Sequence, residues 1–374
     1  MKRRLKKKYR WILVYSPIII FVIIVAILFI TKEKPPVEEM EIARGRLSSA
    51  KVANAQKYSK NLYNSASAAY DSAMHYWKIE NERFYLFRDY DKVKSFALKS
   101  EKYAASSIGQ ADNNSKNLKK EIEGTINRLQ KKIDLFQANL DNIPQIDDTR
   151  KQYNKGKIYF GEAKFAFQKS DYIKAQQKIE LSAKLIDKSY NFANSVLVNY
   201  FGNFPKWQRW VNNTIEQSRL NESYCIVVDK IARECLLYYK GAVKERFEID
   251  LGKNWMGNKN HQGDYTTPEG IYKIIDKKAN GQSRYYKAML LNYPNDEDRA
   301  RFAMNKKNGS IPSRKRIGDL IEIHGNGGKG ADWTMGCIAL SDTDIDRVYA
   351  RCPVGTTVTI VGSLRPYSEI MKLP

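Results

Sequence analysis

Between residues 37 and 200 the chain carries almost no β signal and a single proline, Pro144. Apolar residues recur there at spacings of three and four among Ala, Lys, Gln and Leu, the pattern of amphipathic helices. From Cys225 onward the pattern changes to short apolar runs of β-formers, as in Cys225-Ile226-Val227-Val228 and Cys235-Leu236-Leu237-Tyr238, which read as strands. One chain with two such patterns must build two differently constructed parts. An all-α helical-hairpin region is expected over residues 37–200. A joint follows over 201–223, a mainly-β domain with one or two short helices over 224–363, and a C-terminal tail over 364–374. Within the helical region, Arg88-Asp89-Tyr90-Asp91-Lys92-Val93 and Ser170-Asp171-Tyr172-Ile173-Lys174-Ala175 lie 82 residues apart. Each reads as a tight Asp-Tyr turn between two helices. Further breaks near Ala111-Asp112-Asn113-Asn114 and Asn142-Ile143-Pro144 predict about four helices. In the joint, Trp207 to Ser218 reads as a short amphipathic segment that packs on the following domain.

The N-terminus adds a third element. Residues 1–10 carry seven basic side chains, and residues 11–31 carry no charge. A helix over 11–31 would reach about 31 Å, enough for a bilayer core, and a basic flank marks the cytoplasmic side. The apolar run exceeds a signal-peptide core, and Ile27-Leu28-Phe29-Ile30-Thr31-Lys32 offers no small-x-small cleavage site. The expected fold class is therefore multidomain: an N-terminal transmembrane helix, the all-α region, then the mainly-β domain. Residues 1–10 would be a cytoplasmic basic tail. Everything past Thr31 would lie outside the cytoplasmic membrane, held by a single span. Pro35-Pro36 ends the helix.

A net charge of +23 calls for an anionic neighbour, such as a membrane surface or an anionic wall polymer. No zinc-finger, RNA-binding or helix-turn-helix signature is present, so nucleic acid is not an expected partner.

Chemistry concentrates in Leu320 to Leu340. Leu320-Ile321-Glu322-Ile323 reads as a strand ending at His324, a glycine-rich loop follows, and Trp333-Thr334-Met335-Gly336-Cys337-Ile338 completes the stretch. A loop that folds back would bring one His to one Cys. That pair suits acyl transfer, in which the sulfur attacks and an imidazole takes its proton. Gly336 would let a substrate carbonyl approach backbone N–H groups able to hold an oxyanion. On residue types alone, the favoured reading is structural, with Cys337 a small buried hydrophobe and His324 a satisfied strand-end polar group.

The order of these residues resembles the L,D-transpeptidase catalytic domain family, whose signature is a His, a short loop, then Ser/Thr-x-Gly-Cys and an apolar residue. Here the match is His324, then Thr334-Met335-Gly336-Cys337-Ile338. Gly263-Asp264-Tyr265-Thr266-Thr267-Pro268-Glu269-Gly270-Ile271-Tyr272 is similar to a second family motif, and the resemblance covers residues 224–363. The chain has Met335 where the family often has His, and Ala339 where it often has Arg. Asp332-Trp333-Thr334-x-Gly-Cys-Ile-Ala-Leu resembles a subgroup that also lacks that Arg and includes enzymes that cut as well as join.

The resemblance implies that Cys337 attacks the third-residue carbonyl of a peptidoglycan stem tetrapeptide. His324 would act as base, Gly336 and Cys337 would hold the oxyanion, Gly325 would orient the His by its carbonyl, and Thr334 would brace the loop. D-Ala would leave, and an amine would accept the acyl group, with neither metal nor organic cofactor. Substrate contacts fall to Trp333 and Tyr293 and, in place of the missing Arg, to Arg314 and Arg316. Water as acceptor would make the chain a carboxypeptidase or an amidase cutting protein from peptidoglycan. A non-catalytic wall-binding scaffold is the third reading. The helical region reads as a spacer or as a docking surface for a cell-wall synthesis protein. Cys235 falls opposite Val228 in the predicted hairpin, so it does not pair with Cys225. Residues 299–309 read as a short basic helix serving as a lid.

Overall fold

The computed structural model describes residues 7–31, 34–144, 146–279 and 281–371, with side chains in part of the first segment left undescribed. Most of the basic tail expected over residues 1–10 lies outside the described residues. A helix α1 runs over Lys7–Thr31. Among the described residues, however, no helix is long and apolar enough to cross a membrane. The physical requirement is about 20 consecutive apolar residues. The N-terminal transmembrane helix expected over 11–31 is therefore not supported. The corrected fold class is a helical N-terminal region followed by a mainly-β domain.

The chain divides into two compact units, Met1–Gly124 with Ala163–Gln177, and Thr125–Glu162 with Lys178–Pro374. In the first, α2 (Val37–Val52), α3 (Ala55–Tyr58), α4 (Lys60–Glu82) and the start of α5 (Asp91–Leu135) pack on one another. Their seam is made of small residues. Val93, Ala97, Ser100, Ala104, Ser107 and Ala111 are all buried along α5 and alternate spacings of four and three, the rhythm of a coiled-coil face. Ala43 and Ala50 face them from α2, and Ala66, Ala69 and Ala73 from α4. With no bulk on the seam the backbones approach closely enough for Ser100 Oγ to donate to the Ala66 carbonyl at 2.8 Å. This seam also explains why α5 does not break at Ala111-Asp112-Asn113-Asn114. Ala111 continues the buried row, while Asp112, Asn113 and Asn114 face water and need not turn. Both Asp-Tyr segments do stand at helix starts, before α5 and before α7 (Tyr172–Phe201), which follows α6 (Asp147–Gln168).

The second unit holds α8 (Phe204–Leu220) and one eight-stranded sheet of order β3-β2-β1-β8-β4-β5-β6-β7. Its strands are β1 Tyr224–Asp229, β2 Glu234–Tyr239, β3 Ala242–Glu248, β4 Gly270–Lys278, β5 Ala288–Leu291, β6 Glu322–His324, β7 Ile338–Ala339 and β8 Thr357–Val361. The β1–β2 hairpin sets Val228 opposite Cys235, the register that its turn dictates. β1 reads as an unbroken apolar run because it is central and covered. α8 lies against it and β8, burying Trp207, Val211, Thr214 and Ser218 on one helical face. Thr214 and Thr359 share a hydroxyl hydrogen bond of 2.6 Å across that contact. Gly362 is required there, since a Cβ would sit 2.3 Å from the Trp207 ring.

A buried polar knot ties these helices to the sheet. Lys230, fully buried, donates to Glu269 Oε1 at 2.9 Å and to the carbonyls of Gly257 and Thr267. Tyr200 at the end of α7 donates to the same carboxylate at 2.6 Å, and Trp207 Nε1 at 3.1 Å. Burial lowers the Lys230 ammonium from its usual range and pushes the Tyr200 phenol well above its own, as the adjoining Glu269 carboxylate also does.

Two further helices complete the domain. α9 (Asp296–Lys307) starts on a capping box in which Asn295 and Asp298 each accept the other's backbone N–H. α10 (Asp342–Arg351) starts on Ser341, whose hydroxyl accepts from Asp344 N. A short α11 (Tyr367–Ile370) follows β8.

Candidate active site

β6 and β7 run parallel, with Ile323 opposite Ile338 and His324 opposite Ala339. Cys337 immediately precedes β7 and so falls beside Glu322. Side chains alternate along a strand, which puts Glu322, Cys337 and His324 on one face. His324 and Cys337 accordingly line the same cavity, of about 560 Å³, together with Trp333 and Thr334. Folding the glycine loop between two parallel strands is what converts thirteen residues of sequence separation into a shared wall.

The imidazole is held on three sides. Its Nδ1 lies 2.7 Å from the Gly325 carbonyl. A carbonyl only accepts, so Nδ1 carries the hydrogen and Nε2 is left as the basic nitrogen. The Tyr285 ring stacks on it at 4.3 Å and 20°, and the Trp333 edge meets it at 6.0 Å and 68°. Trp333 is itself fixed by its Nε1, which donates to Asp250 at 3.0 Å. Gly325 has no room for a side chain, since a Cβ would lie 2.6 Å from Asp342 Oδ1.

The cysteine loop is braced from within. Thr334 Oγ1 donates to the Cys337 carbonyl at 2.8 Å and accepts from Gly336 N at 3.2 Å. The Gly336 N–H is thereby engaged, and the Cys337 N–H meets no acceptor among the described residues. Gly336 has φ +131°, and a Cβ on it would lie 2.8 Å from the Thr266 carbonyl. The thiol donates to the Leu320 carbonyl at 3.6 Å.

Burial favours the neutral form of both groups. Burial pushes the Cys337 thiol up to about 11, against the Glu322 N–H and the Lys259 ammonium, which favour the thiolate. Cys337 is partly exposed as a residue, yet burial outweighs the groups that favour its thiolate. Burial also lowers the His324 imidazole below its ordinary value, more than the Gly325 carbonyl raises it.

The remaining candidates lie apart. Arg314 and Arg316 are exposed and do not line the cavity; Arg316 offers only its carbonyl, to Gln262 N. Tyr293 is a core residue, 5% exposed, with its hydroxyl on the Ile317 carbonyl. No residue of α9, the helix expected as a lid, lines the cavity. Its Asp298 accepts hydrogen bonds from the buried Tyr272 hydroxyl and from the half-buried Arg301. The cations that do line the cavity are Lys259, Lys278 and Arg284, none of which follows a motif spacing. Only Lys259 had a trace in the sequence, the acid five residues downstream, Asp264, which needs a partner when buried.

Residues 223–360 match the family model "L,D-transpeptidase catalytic domain", YkuD. The match is to that family's catalytic domain and covers that stretch alone. The YkuD domain so defined takes in both motifs quoted above. Among curated proteins the chain is 27% identical over 143 residues to "Putative L,D-transpeptidase YafK" of Escherichia coli (strain K12), covering 37% of this chain and 51% of that one. The chain thus spans about half the length of that relative. Solved structures that resemble it include an L,D-transpeptidase from Xylanimonas cellulosilytica, with a TM-score of 0.27 and 14% identity over 37% of this chain and 60% of that one. An L,D-transpeptidase from Mycobacterium smegmatis gives a TM-score of 0.24 and 15% identity, over 37% and 58%.

A direct check on the YkuD loop is Gly336→Ala. The new methyl meets the Thr266 carbonyl, and we expect a loss of about 1–3 kcal/mol from the strained backbone and the clash. Equilibrium denaturant unfolding of the variant measures it, and an unchanged midpoint would contradict the packing described.

Proposed function

We propose that this chain is a peptidoglycan L,D-transpeptidase in which Cys337 is the nucleophile and His324 the general base. The observation that carries this reading is the shared cavity in which a partly exposed cysteine and a tautomer-fixed histidine meet. Because burial favours the neutral form of both groups, the thiol first exchanges the Leu320 carbonyl for His324 Nε2. Sulfur then attacks the third-residue carbonyl of a stem tetrapeptide while Nε2 takes its proton. The Cys337 N–H faces the developing oxyanion. Collapse breaks the C–N bond, the imidazolium returns its proton to the departing D-Ala amine, and a thioester remains. An amine from a second stem peptide then attacks the thioester, restoring the thiol and forming a new amide. Water in that role gives a carboxypeptidase or amidase instead. On this reading the catalytic domain works on the extracytoplasmic side, where peptidoglycan lies, and the helical region serves as a spacer.

The test is mass spectrometry of tetrapeptide muropeptides incubated with the full chain and with Cys337→Ala. The expected result is a dimer joined between two third-position residues, with release of D-Ala, from the wild type alone. Release of D-Ala without dimers would replace transpeptidation by hydrolysis. Identical spectra from both proteins, on tetrapeptides and on protein-linked muropeptides, would defeat the catalytic reading and leave the scaffold.

A further inference from the structure

Lys259 is an unusual lining residue for this cavity. It is 4% exposed, and its ammonium bonds Asp264 Oδ1 at 2.7 Å and, at 3.5 Å, the Thr266 carbonyl. Its third N–H has no acceptor among the described residues. The ammonium lies under the loop that carries the nucleophile, 3.4 Å from where a Cβ of Gly336 would be. The absence of a side chain at Gly336 therefore gives Lys259 its place as well as relieving the backbone.

Asp264 fixes the position of that charge. Burial works to raise its carboxyl, but Lys259 and the N–H groups of Thr266 and His261 hold it below the usual range. Its other oxygen accepts from Asn260 N at 2.6 Å and His261 N at 3.1 Å. The acid is thus an anchor for a loop and a clamp for an ammonium. A purely structural lysine would be capped by its acceptors, whereas this one is left a donor short under the cysteine loop, in the lining of the cavity that Cys337 shares.

The other charged groups facing Cys337 do not supply a cation so placed. Lys278 is spent on Glu322, at 3.1 Å. Glu322 is an acid and disfavours the thiolate. Arg284 is exposed at the cavity rim, as is Asp319. Burial favours the neutral form of His324.

We propose that Lys259, clamped by Asp264, is the positioning residue that stabilises negative charge at Cys337, in the thiolate and in the oxyanion that follows. It supplies electrostatically what the neutral Cys–His pair lacks. This inference rests on Cys337 being the reactive group, as proposed above, but its test reads the sulfur directly and needs no muropeptide turnover.

The experiment follows alkylation of Cys337 in the full-length chain by iodoacetamide from pH 7 to 10, quantified on the peptide that carries it. A neighbouring opposite charge within about 4–6 Å shifts a titrating group by about 1–3 units, and Asp264 cancels part of it, so we expect Lys259→Met to slow alkylation about ten-fold throughout. Lys259→Gln, which keeps a donor toward Asp264, should slow it equally. Lys259→Met with Asp264→Asn removes both charges and avoids leaving a buried carboxylate unpaired, and it too should react slowly. Melting temperatures and near-UV dichroism identify the folded variants. A folded variant lacking the ammonium whose alkylation profile matches wild type would overturn the proposal. Failure of the muropeptide assay with a slowed thiol would instead count against the substrate, not against the role of Lys259.

Discussion

Glu269→Ala should destabilise the second compact unit by about 3–5 kcal/mol, the usual consequence of breaking a buried ion pair by removing one partner. The reason is the number of groups that converge on this carboxylate. Lys230 is fully buried, and its side chain cannot reach water when Glu269 is gone. The Tyr200 hydroxyl and the Trp207 indole N–H lose their acceptor in the same step. These two residues are also the ones that seat α7 and α8 on the sheet, so the damage falls on the junction as well as on the pair. Glu269→Gln should cost less, because an amide oxygen still accepts from one of the donors. Replacing the pair together, as Lys230→Met with Glu269→Leu, should recover most of the loss, since an apolar pair of similar volume avoids desolvating two charges. Thermal unfolding of the four proteins decides it. A single variant within 2 °C of wild type would show that the knot is not what holds the helices down.

Glu269 occupies the unspecified position of the Thr-Pro-x-Gly motif, and that illustrates where sequence was informative. Turn-forming residues, strand alternation and the hairpin register could be read directly, because they depend on neighbours within a few positions. The placing of one His and one Cys on either side of a loop that folds back was readable too, as a strand and a glycine-rich loop; the short strand β7 was not. What could not be read depends on contacts between distant segments. Lys230 and Glu269 are 39 residues apart and look like ordinary charges until the fold buries them. Lys259 looks like one more basic residue in a chain of net charge +23. Arg314 and Arg316 were attractive because they precede β6, yet proximity along the chain left them outside the cavity. Tyr293 has a hydroxyl suited to substrate, and the fold uses it as core. At Ala111 to Asn114 local turn propensity pointed one way and the small-residue seam the other, and tertiary packing won.

His324→Ala should lower the rate of D-Ala release about 10²–10⁴-fold, the range that a positioned general base contributes. The wild-type pH profile should carry the same signature. Burial lowers the His324 imidazole from its ordinary 6.5, so the base form persists to more acidic pH, and the acidic limb should fall below 6.5. On the other side, burial pushes the thiol up to about 11. Activity through neutral pair chemistry should therefore stay level between about pH 7 and 9, where a free cysteine with its value near 8.5 would already be ionising. The signs follow from which form is needed. Protonating His324 removes the base, and raising pH past its lowered value restores it. Deprotonating Cys337 ahead of attack would strip His324 of the proton it must return to the leaving amine. A preformed thiolate–imidazolium pair predicts the opposite shape, with activity lost as soon as pH rises through the imidazolium value. Rates of D-Ala release from pH 5 to 11, wild type beside His324→Ala, separate the two. A wild-type profile that peaks near pH 6 and falls by pH 8 would rule out the neutral pair. An alanine variant with full activity would remove His324 from the mechanism.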